Sequence, residues 1–320
     1  MPEPLVSRDP LIAAITTFLA GQDAETLDEI REALERELDA AGPGALLRLG
    51  ERLGTSGADW EYYPRDPLAR RIHHVLADSI LQPDSALFGL EHLAAVADKP
   101  VVIVANHLSY SDANLIEVLF HRGGAPAIAD RLTVIAGPKV YSSVKRRFSS
   151  LCFGTIKVPQ SSGLSTDEAV MQPRDVAHAA RRSIDIAHER LGAGDALLVF
   201  AEGTRSRTNG MQPMLAGVTR YLDFPDARVL PVGIVGSEAL FPIGDTTVHA
   251  VRIVARAGRP MEASALAEQA GRDRQLMMDA VGLAIADLLP PEYRGVYGAG
   301  GADLTAARRL YMNVTSRATA

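Results

Sequence analysis

Residues 101–112 read VVIVANHLSYSD, an apolar and mostly β-branched run that ends in a polar segment. The run at residues 101–105 is typical of a buried strand, and the polar residues after it are typical of a turn. His107 and Asp112 lie in this polar segment with four residues between them. Because Ser109 and Asp112 have the spacing of a capping box, we expect a helix to begin here, with His107 in the turn and Asp112 in the first helical turn.

A second stretch also consists of an apolar run followed by a polar segment. Residues 196–207 read ALLVFAEGTRSR, in which an apolar run is followed by an acid, a glycine, a hydroxyl and two arginines. Ligands of open α/β sheets bind beyond the carboxyl ends of the strands. The two polar segments are therefore predicted to serve one site.

The pattern from about residue 86 onward alternates short β-branched runs with helical stretches. Such alternation predicts an α/β fold, with a mixed central sheet flanked by helices. We expect strands at residues 101–105, 132–136, 155–158, 196–200, 228–235 and 247–255. We expect helices at residues 109–120, 138–148, 174–191, 262–288 and 304–313.

The chain before residue 86 has the pattern of a small helical domain. Its helices are predicted at residues 11–19, 23–41 and 68–81, with a loop at residues 50–67. Asp23 is expected to cap the second helix, and Gly42 and Pro43 are expected to end it. We therefore expect a helical N-terminal domain at residues 1–85 and an α/β domain with C-terminal helices at residues 86–320. The first helices fit equally well a cap that packs on the α/β domain.

The composition is that of an ordinary globular protein, with 47% hydrophobic and 22% charged residues. A formal charge of −6 disfavours a nucleic-acid partner. No apolar run approaches the ~18 to 20 residues of a membrane-spanning helix, and the N-terminus lacks the pattern of a signal peptide. The single cysteine, Cys152, excludes an intrachain disulfide and fits a packing role. We expect a cytoplasmic protein, and leave open peripheral contact with the inner membrane surface.

His107 and Asp112 have the residue types of a general base and its partner. A neutral imidazole takes a proton from an alcohol, and a carboxylate on its second nitrogen fixes the tautomer and stabilises the cation that forms. The same spacing also fits a buried histidine beside a helix-capping aspartate, but the position after a strand favours catalysis. The chain has no H-E-x-x-H, G-x-S-x-G or strand-linked G-x-G-x-x-G pattern, so a metal site, a serine hydrolase and a dinucleotide site are disfavoured.

The segment after the second strand has the residue types of a phosphate site. Gly203 lets the backbone approach a ligand closely, and Thr204 offers a hydroxyl. Arg205 and Arg207 offer planar guanidinium groups that match phosphate oxygens, although two arginines at this spacing also fit an exposed surface. Glu202 fits three roles: it could accept from an acceptor hydroxyl, hold the loop and an arginine in place, or be a structural acid at the strand end.

Together, the two stretches resemble the glycerolipid acyltransferase family, which includes glycerol-3-phosphate and lysophosphatidate acyltransferases. That family carries N-H-x-x-x-x-D, then F-x-E-G-T-R-S, then a hydrophobic segment with proline. The corresponding residues here are 106–112, 200–206 and 229–233. Their order and separation also match, and the resemblance covers about residues 86–260.

The resemblance implies a mechanism without a covalent enzyme intermediate, a metal or a redox cofactor. His107, oriented by Asp112, would act as general base on an acceptor hydroxyl, which attacks the thioester of acyl-coenzyme A or acyl carrier protein. Glycerol 3-phosphate is the favoured acceptor, and lysophosphatidate or another lysophospholipid is the alternative. A thioester hydrolase and a non-catalytic lipid-binding protein fit less well. The implied substrate-binding residues are Lys157, Glu202, Gly203, Thr204, Arg205 and Arg207.

One block departs from the family pattern. Many members have an arginine in a V-P-x-x-R pattern after a strand, and the segment that starts at Ile156 has none, so that Lys157 is the nearest basic residue. Residues 136–157 and the two arginines after Gly203 are similar to the soluble plastid-type glycerol-3-phosphate acyltransferases, which depart from E-G-T where this chain keeps it. The basic run at residues 145–147 fits a solvated helix face, or contact with an anionic substrate, a carrier protein or a membrane surface.

Overall fold

The computed structural model describes residues 6–159, 172–242, 247–299 and 303–317. Its centre is a sheet whose strands are β1 (Tyr62–Tyr63), β2 (Ala86–Phe88), β3 (Val101–Ala105), β4 (Leu132–Ala136), β5 (Gly154–Lys157), β6 (Ala196–Phe200), β7 (Arg228–Val235), β8 (Val254–Ala257) and β9 (Met261–Glu262). The strand order is β1-β5-β4-β6-β3-β7-β8-β2, and β9 pairs with β7. Strands β5, β4, β6, β3 and β7 are parallel, while β1 pairs with β5, and β8 and β9 with β7, in the antiparallel sense. The predicted mixed sheet is confirmed.

Helices cover both faces of this sheet. They are α1 (Arg8–Phe18), α2 (Ala24–Ala41), α3 (Pro43–Thr55), α4 (Pro67–Ile80), α5 (Leu90–Ala94), α6 (Asp112–Arg122), α7 (Pro126–Ala129), α8 (Val144–Ser150), α9 (Pro173–Gly192), α10 (Thr219–Leu222), α11 (Ala263–Gln269), α12 (Arg274–Ala286) and α13 (Thr305–Arg317). Among the described residues, no helix is long and apolar enough to cross a membrane.

The central strand β3 is buried on both faces, which explains why residues 101–105 are all apolar. Val101, Ile103 and Ala105 pack in one core cluster with α1 to α4 and α6. Val102 and Val104 pack in a second cluster with α9 to α13. Every second side chain of a strand points to the opposite face, so a strand that is covered on both faces reads as a continuous hydrophobic run.

The N-terminal helices pack in the same core cluster as one face of the sheet. Asp23 caps α2 as predicted, since its side chain accepts a hydrogen bond from the backbone N–H of Thr26. Gly42 ends α2 with φ +74, and Pro43 then begins α3 as its first residue. Because α3 continues to Thr55, the loop predicted at residues 50–67 was wrong over its first third. The boundary between residues 85 and 86 stays a prediction.

Two further predictions of single elements were wrong. The helix predicted at residues 262–288 is split into α11 and α12, because Gly271 and Arg272 both have a left-handed backbone, with φ +59 and 64. The strand predicted at residues 247–255 begins only at Val254. The preceding part runs beside the end of α4 rather than beside a strand, and among its described residues it forms a single bridge, Leu81 to Val251.

Candidate active site

The register of β3 and β6 brings the two polar segments together. Ala105 and Phe200 are the last residues of these neighbouring parallel strands, and they are paired in register. The residues that follow each strand therefore leave the sheet side by side at its carboxyl edge. Asn106 fixes the first segment against the other neighbouring strand, since its side chain exchanges two hydrogen bonds of 2.9 and 2.8 Å with the backbone of Ile234 in β7.

The backbone of His107 is held from both sides by the second segment. Its N–H donates to Glu202 Oε1 at 2.8 Å, and its carbonyl accepts from the N–H of Ser206 at 2.7 Å. The imidazole stacks on the ring of Phe200, with 4.3 Å between centroids and an interplanar angle of 21°. The histidine is therefore fixed at its backbone and at one face of its ring.

Asp112 is the first residue of α6 and its carboxylate lies against the imidazole. Oδ2 is 2.8 Å from His107 Nδ1, and it also accepts from the N–H groups of Leu108 and Ser109 at 2.7 and 2.9 Å. The two backbone bonds explain why a pair at this spacing meets, because the turn wraps around the carboxylate. With Nδ1 donating to Asp112, Nε2 is the basic nitrogen, and it has no hydrogen-bond partner among the described residues.

Glu202 joins two loops and does not contact an arginine. Its side chain is buried, with Oε1 on the N–H of His107 and Oε2 on the N–H of Gln212 at 2.6 Å. The sequence left three roles open for Glu202. Its contacts match the role of holding the loop in place, although it holds no arginine.

A cavity of about 750 Å³ opens beside these loops. His107, Gly203, Thr204 and Arg205 line it, while Asp112 and Glu202 lie behind its wall. A large part of the wall is apolar and comes from β4, β6, α9, α10 and the segments next to them, with the side chains Val134, Phe153, Ile184, Val199, Val218 and Tyr221. The arrangement places a base, a cationic group and an apolar wall around one space.

Comparison with known proteins identifies the segment that carries this site. Residues 87–235 match the family model described as Acyltransferase, and both polar segments lie inside the match. This part of the chain is therefore similar to the acyltransferase family. The chain is also similar to the structure of the 1-acyl-sn-glycerophosphate (LPA) acyltransferase PlsC from Thermotoga maritima, with a TM-score of 0.45 and 19% identity over 88% of this chain and 96% of that one. A comparison with curated proteins found no match.

Three predicted substrate-binding residues do not line the cavity, namely Lys157, Arg207 and Glu202, which lies behind the wall. Lys157 Nζ donates to the carbonyl of Gly57 at 2.6 Å and lies 4.4 Å from the centroid of the Trp60 ring. Burial lowers the pKa of this ammonium group. Arg207 is exposed and also lies outside the residues that line the cavity. The structure therefore brings His107, Asp112, Glu202, Gly203, Thr204 and Arg205 together, but not Lys157 and Arg207.

The cavity has basic residues that were not predicted as site residues. Lys139 precedes α8, and Lys145 and Arg146 lie on it, and all three line the cavity. The sequence signal for Lys145 and Arg146 was the basic run at residues 145–147. The sequence alone does not distinguish Arg147 from its neighbours, but in the fold its guanidinium group donates to the carbonyl of Tyr141 instead of lining the cavity. Among the described residues, no group of three or more His, Cys, Asp or Glu side chains could hold a metal ion. The prediction that no metal or redox cofactor takes part stays a prediction.

We expect Glu202 to make the stability of the protein depend on pH. Burial raises the pKa of this carboxyl from 4.5 to about 7, although the two backbone hydrogen bonds lower it. Because the folded pKa lies above that of the unfolded chain, the folded state binds the proton more tightly. The contribution to the free energy of unfolding is therefore fully present below about pH 4.5 and is lost as the pH rises through about 7, a fall of ~3 kcal/mol.

Urea unfolding at about pH 5 and about pH 8 tests this expectation. Glu202→Gln cannot titrate, so its free energy of unfolding should fall less over this range than that of the wild type. The glutamine amide accepts only one of the two N–H bonds, so the variant should be less stable at about pH 5, by about 1 to 3 kcal/mol. Glu268→Gln, at an exposed position on α11, is the control and should keep the wild-type fall. An equal fall in Glu202→Gln and the wild type would contradict the prediction.

Proposed function

We propose that this acyltransferase moves a fatty acyl group from the thioester of acyl-coenzyme A or acyl carrier protein to a hydroxyl of glycerol 3-phosphate. The observation that carries the proposal is the position of His107. Its imidazole, paired with Asp112 through Nδ1, lines the same cavity as Arg205 and a large apolar wall. A base, a cationic group for a phosphate and a space for an acyl chain are the three parts that this transfer needs.

The chemistry follows from the free nitrogen of the imidazole. His107 Nε2 takes the proton of the acceptor hydroxyl as the oxygen attacks the thioester carbonyl carbon, and Asp112 stabilises the imidazolium. When the tetrahedral species collapses, the carbon–sulfur bond breaks and the thiolate takes the proton from the imidazolium. The products are an ester and a free thiol, and the imidazole returns to its neutral form. A positioned base contributes roughly 10²- to 10⁴-fold to such a step.

Binding and positioning come from the rest of the cavity. The Arg205 guanidinium offers charge-assisted hydrogen bonds to the acceptor phosphate, and Gly203 and Thr204 lie next to it at the wall. The apolar side chains of β4, β6, α9 and α10 would hold the acyl chain, because burying each CH₂ group contributes about 0.8 kcal/mol. Glu202 acts through the backbone of His107 and keeps the base in position.

Lysophosphatidate or another lysophospholipid is the second candidate acceptor. Tyr110 and Leu215 line the cavity and are 42% and 41% exposed, so the rim offers apolar surface to a second acyl chain. A lysolipid would arrive from a membrane, and peripheral contact with the inner membrane surface of the cell belongs with this candidate.

Acyl transfer measured with separate acceptors tests the proposal. Radiolabelled acyl-coenzyme A and acyl carrier protein would each be offered with glycerol 3-phosphate, with lysophosphatidate, and with no acceptor. Labelled lysophosphatidate formed from glycerol 3-phosphate supports the first acylation, and product from the lysolipid alone moves the protein to the second candidate. Thioester cleavage that does not depend on an acceptor would indicate a hydrolase. No turnover of either donor would indicate a binding protein without catalysis.

A further inference from the structure

Two guanidinium groups lie against one aromatic ring at the cavity. The Cζ atoms of Arg146 and Arg205 are each 4.7 Å from the centroid of the Tyr110 ring. All three side chains line the cavity. Arg205 and Tyr110 come from the two polar segments, whereas Arg146 comes from α8. The ring therefore joins a third element to the site.

Neither arginine is neutralised by a carboxylate within the described part of the chain. Arg146 Nη1 donates to the carbonyl of Lys139 at 3.1 Å and to Ser142 Oγ at 3.0 Å, which leaves its Nε and Nη2 donors without a described partner. The Arg205 guanidinium has no hydrogen bond to a described residue, and the Lys139 ammonium also lines the cavity without an ion pair. Cations that gather without acidic partners, in a chain whose formal charge is −6, indicate an anionic ligand.

The shared ring sets an upper limit on the distance between the two arginines. Both Cζ atoms are 4.7 Å from one point, so they are no further apart than twice that distance. Because both guanidinium groups also line one cavity, each can donate a charge-assisted hydrogen bond to a phosphate that lies beside the ring. The face of an aromatic ring attracts a guanidinium group, so the Tyr110 ring brings together two cations that would otherwise repel each other.

We infer that Arg146 is a second guanidinium ligand of the acceptor phosphate, in addition to Arg205, and that Tyr110 is the positioning residue that holds both. The inference rests on the proposed function, in which the acceptor carries a phosphate. This inference also explains how the site can lack the arginine that many family members have in a V-P-x-x-R pattern after this strand, β5. Lys157 is held by Gly57 and Trp60, and the missing positive charge comes from α8 instead.

Binding of glycerol 3-phosphate without an acyl donor tests the role of Arg146. Isothermal titration would compare the wild type with Arg146→Gln and with Arg147→Gln. Arg147 is the matched control, because it is the next residue of the same helix, donates to the carbonyl of Tyr141 and lies outside the residues that line the cavity. We expect Kd to rise roughly 10-fold or more in Arg146→Gln and to stay at the wild-type value in Arg147→Gln. Inorganic phosphate should compete in the wild type and compete more weakly in Arg146→Gln.

Kinetics test the role of Tyr110. A positioning residue for the phosphate should act on the KM of glycerol 3-phosphate and leave kcat at saturation nearly as in the wild type. Tyr110→Leu removes the ring face and should raise KM by roughly 10-fold, and Tyr110→Phe, which keeps the ring face, should raise it less. Equal effects of the two substitutions, or a loss in kcat alone, would overturn the role of the ring.

The outcomes for the inference and for the proposed function are distinct. If Arg146→Gln weakens phosphate binding but the wild type transfers no acyl group, the anion site stands and the proposed function fails. If the wild type acylates glycerol 3-phosphate but Arg146→Gln binds it as tightly as the wild type does, the inference fails and the proposed function stands. An equal loss of binding in Arg147→Gln, or no phosphate binding by the wild type, also overturns the inference.

Discussion

Replacing His107 with alanine should lower kcat for acyl transfer by about 10²- to 10⁴-fold, which is the contribution of a positioned general base. His107 is the one histidine among the described residues that line the cavity, so no second imidazole can take over its proton transfer. The KM for the acceptor should change much less, because the proposed phosphate ligands are other groups. Steady-state rates at saturating acyl-coenzyme A and varied glycerol 3-phosphate give both quantities.

The His107→Ala variant should fold, because the turn keeps its other contacts. The N–H groups of Leu108 and Ser109 still donate to Asp112, and the backbone of residue 107 still bonds to Glu202 and Ser206. Far-UV circular dichroism and the thermal midpoint check this. His178→Ala, which changes an exposed histidine on α9, is the matched control and should keep the wild-type rate. Added imidazole should restore part of the lost rate, and a variant within a few-fold of the wild type would show that the base assignment is wrong.

The main strands could be predicted because they are covered on both faces. The bounds of β3, β4, β6 and β7 agree with the predicted runs, since each run is mostly apolar. Two polar segments that each follow such a strand were therefore visible as one site. Their contact could not be read from either segment alone, because the bond between His107 and Glu202 joins residues 95 positions apart through the register of β3 and β6.

Contacts that depend on distant packing could not be predicted. Lys157 was predicted at the phosphate because it is the basic residue nearest to the family's arginine position. Its ammonium group is instead held by Gly57, 100 residues earlier, and by the Trp60 ring, in the loop between α3 and β1. Arg146 and Arg147 are adjacent and alike in the sequence, and only the placement of α8 decides that Arg146 lines the cavity. Residue type thus indicated the kinds of side chain expected at the site, while the fold decided which of them line the cavity.

Replacing Asp112 with asparagine should also lower kcat, by about 10²- to 10⁴-fold, because the carboxylate fixes the tautomer of His107 and stabilises the imidazolium. The substitution tests charge more than shape, since the amide oxygen can still accept from the N–H groups of Leu108 and Ser109. The other oxygen, Oδ1, is buried without a partner among the described residues. The new NH₂ group would take this place, so we expect stability to fall by about 1 to 3 kcal/mol.

A matched aspartate separates the loss of rate from the loss of stability. Asp195 is buried, accepts from Arg190 and Thr133, and immediately precedes β6, at the opposite end of that strand from the cavity. Asp195→Asn should therefore destabilise the protein without lowering kcat per folded molecule. The rate of Asp112→Asn, corrected for the folded fraction from urea unfolding at the assay pH, should remain far below that of Asp195→Asn. Similar corrected rates in the two variants would mean that Asp112 only holds the turn, through the N–H groups of Leu108 and Ser109.

The double variant His107→Ala and Asp112→Asn decides whether the two side chains act as one unit. If Asp112 contributes to the rate only through the imidazole, its charge has nothing left to stabilise once His107 is absent. The double variant should then be no slower than His107→Ala alone, which is the non-additivity expected of residues that work together. If the two losses multiply, Asp112 acts on the reaction by a separate route. Its buried Oδ1 would then be the first atom to examine, because it has no hydrogen-bond partner among the described residues.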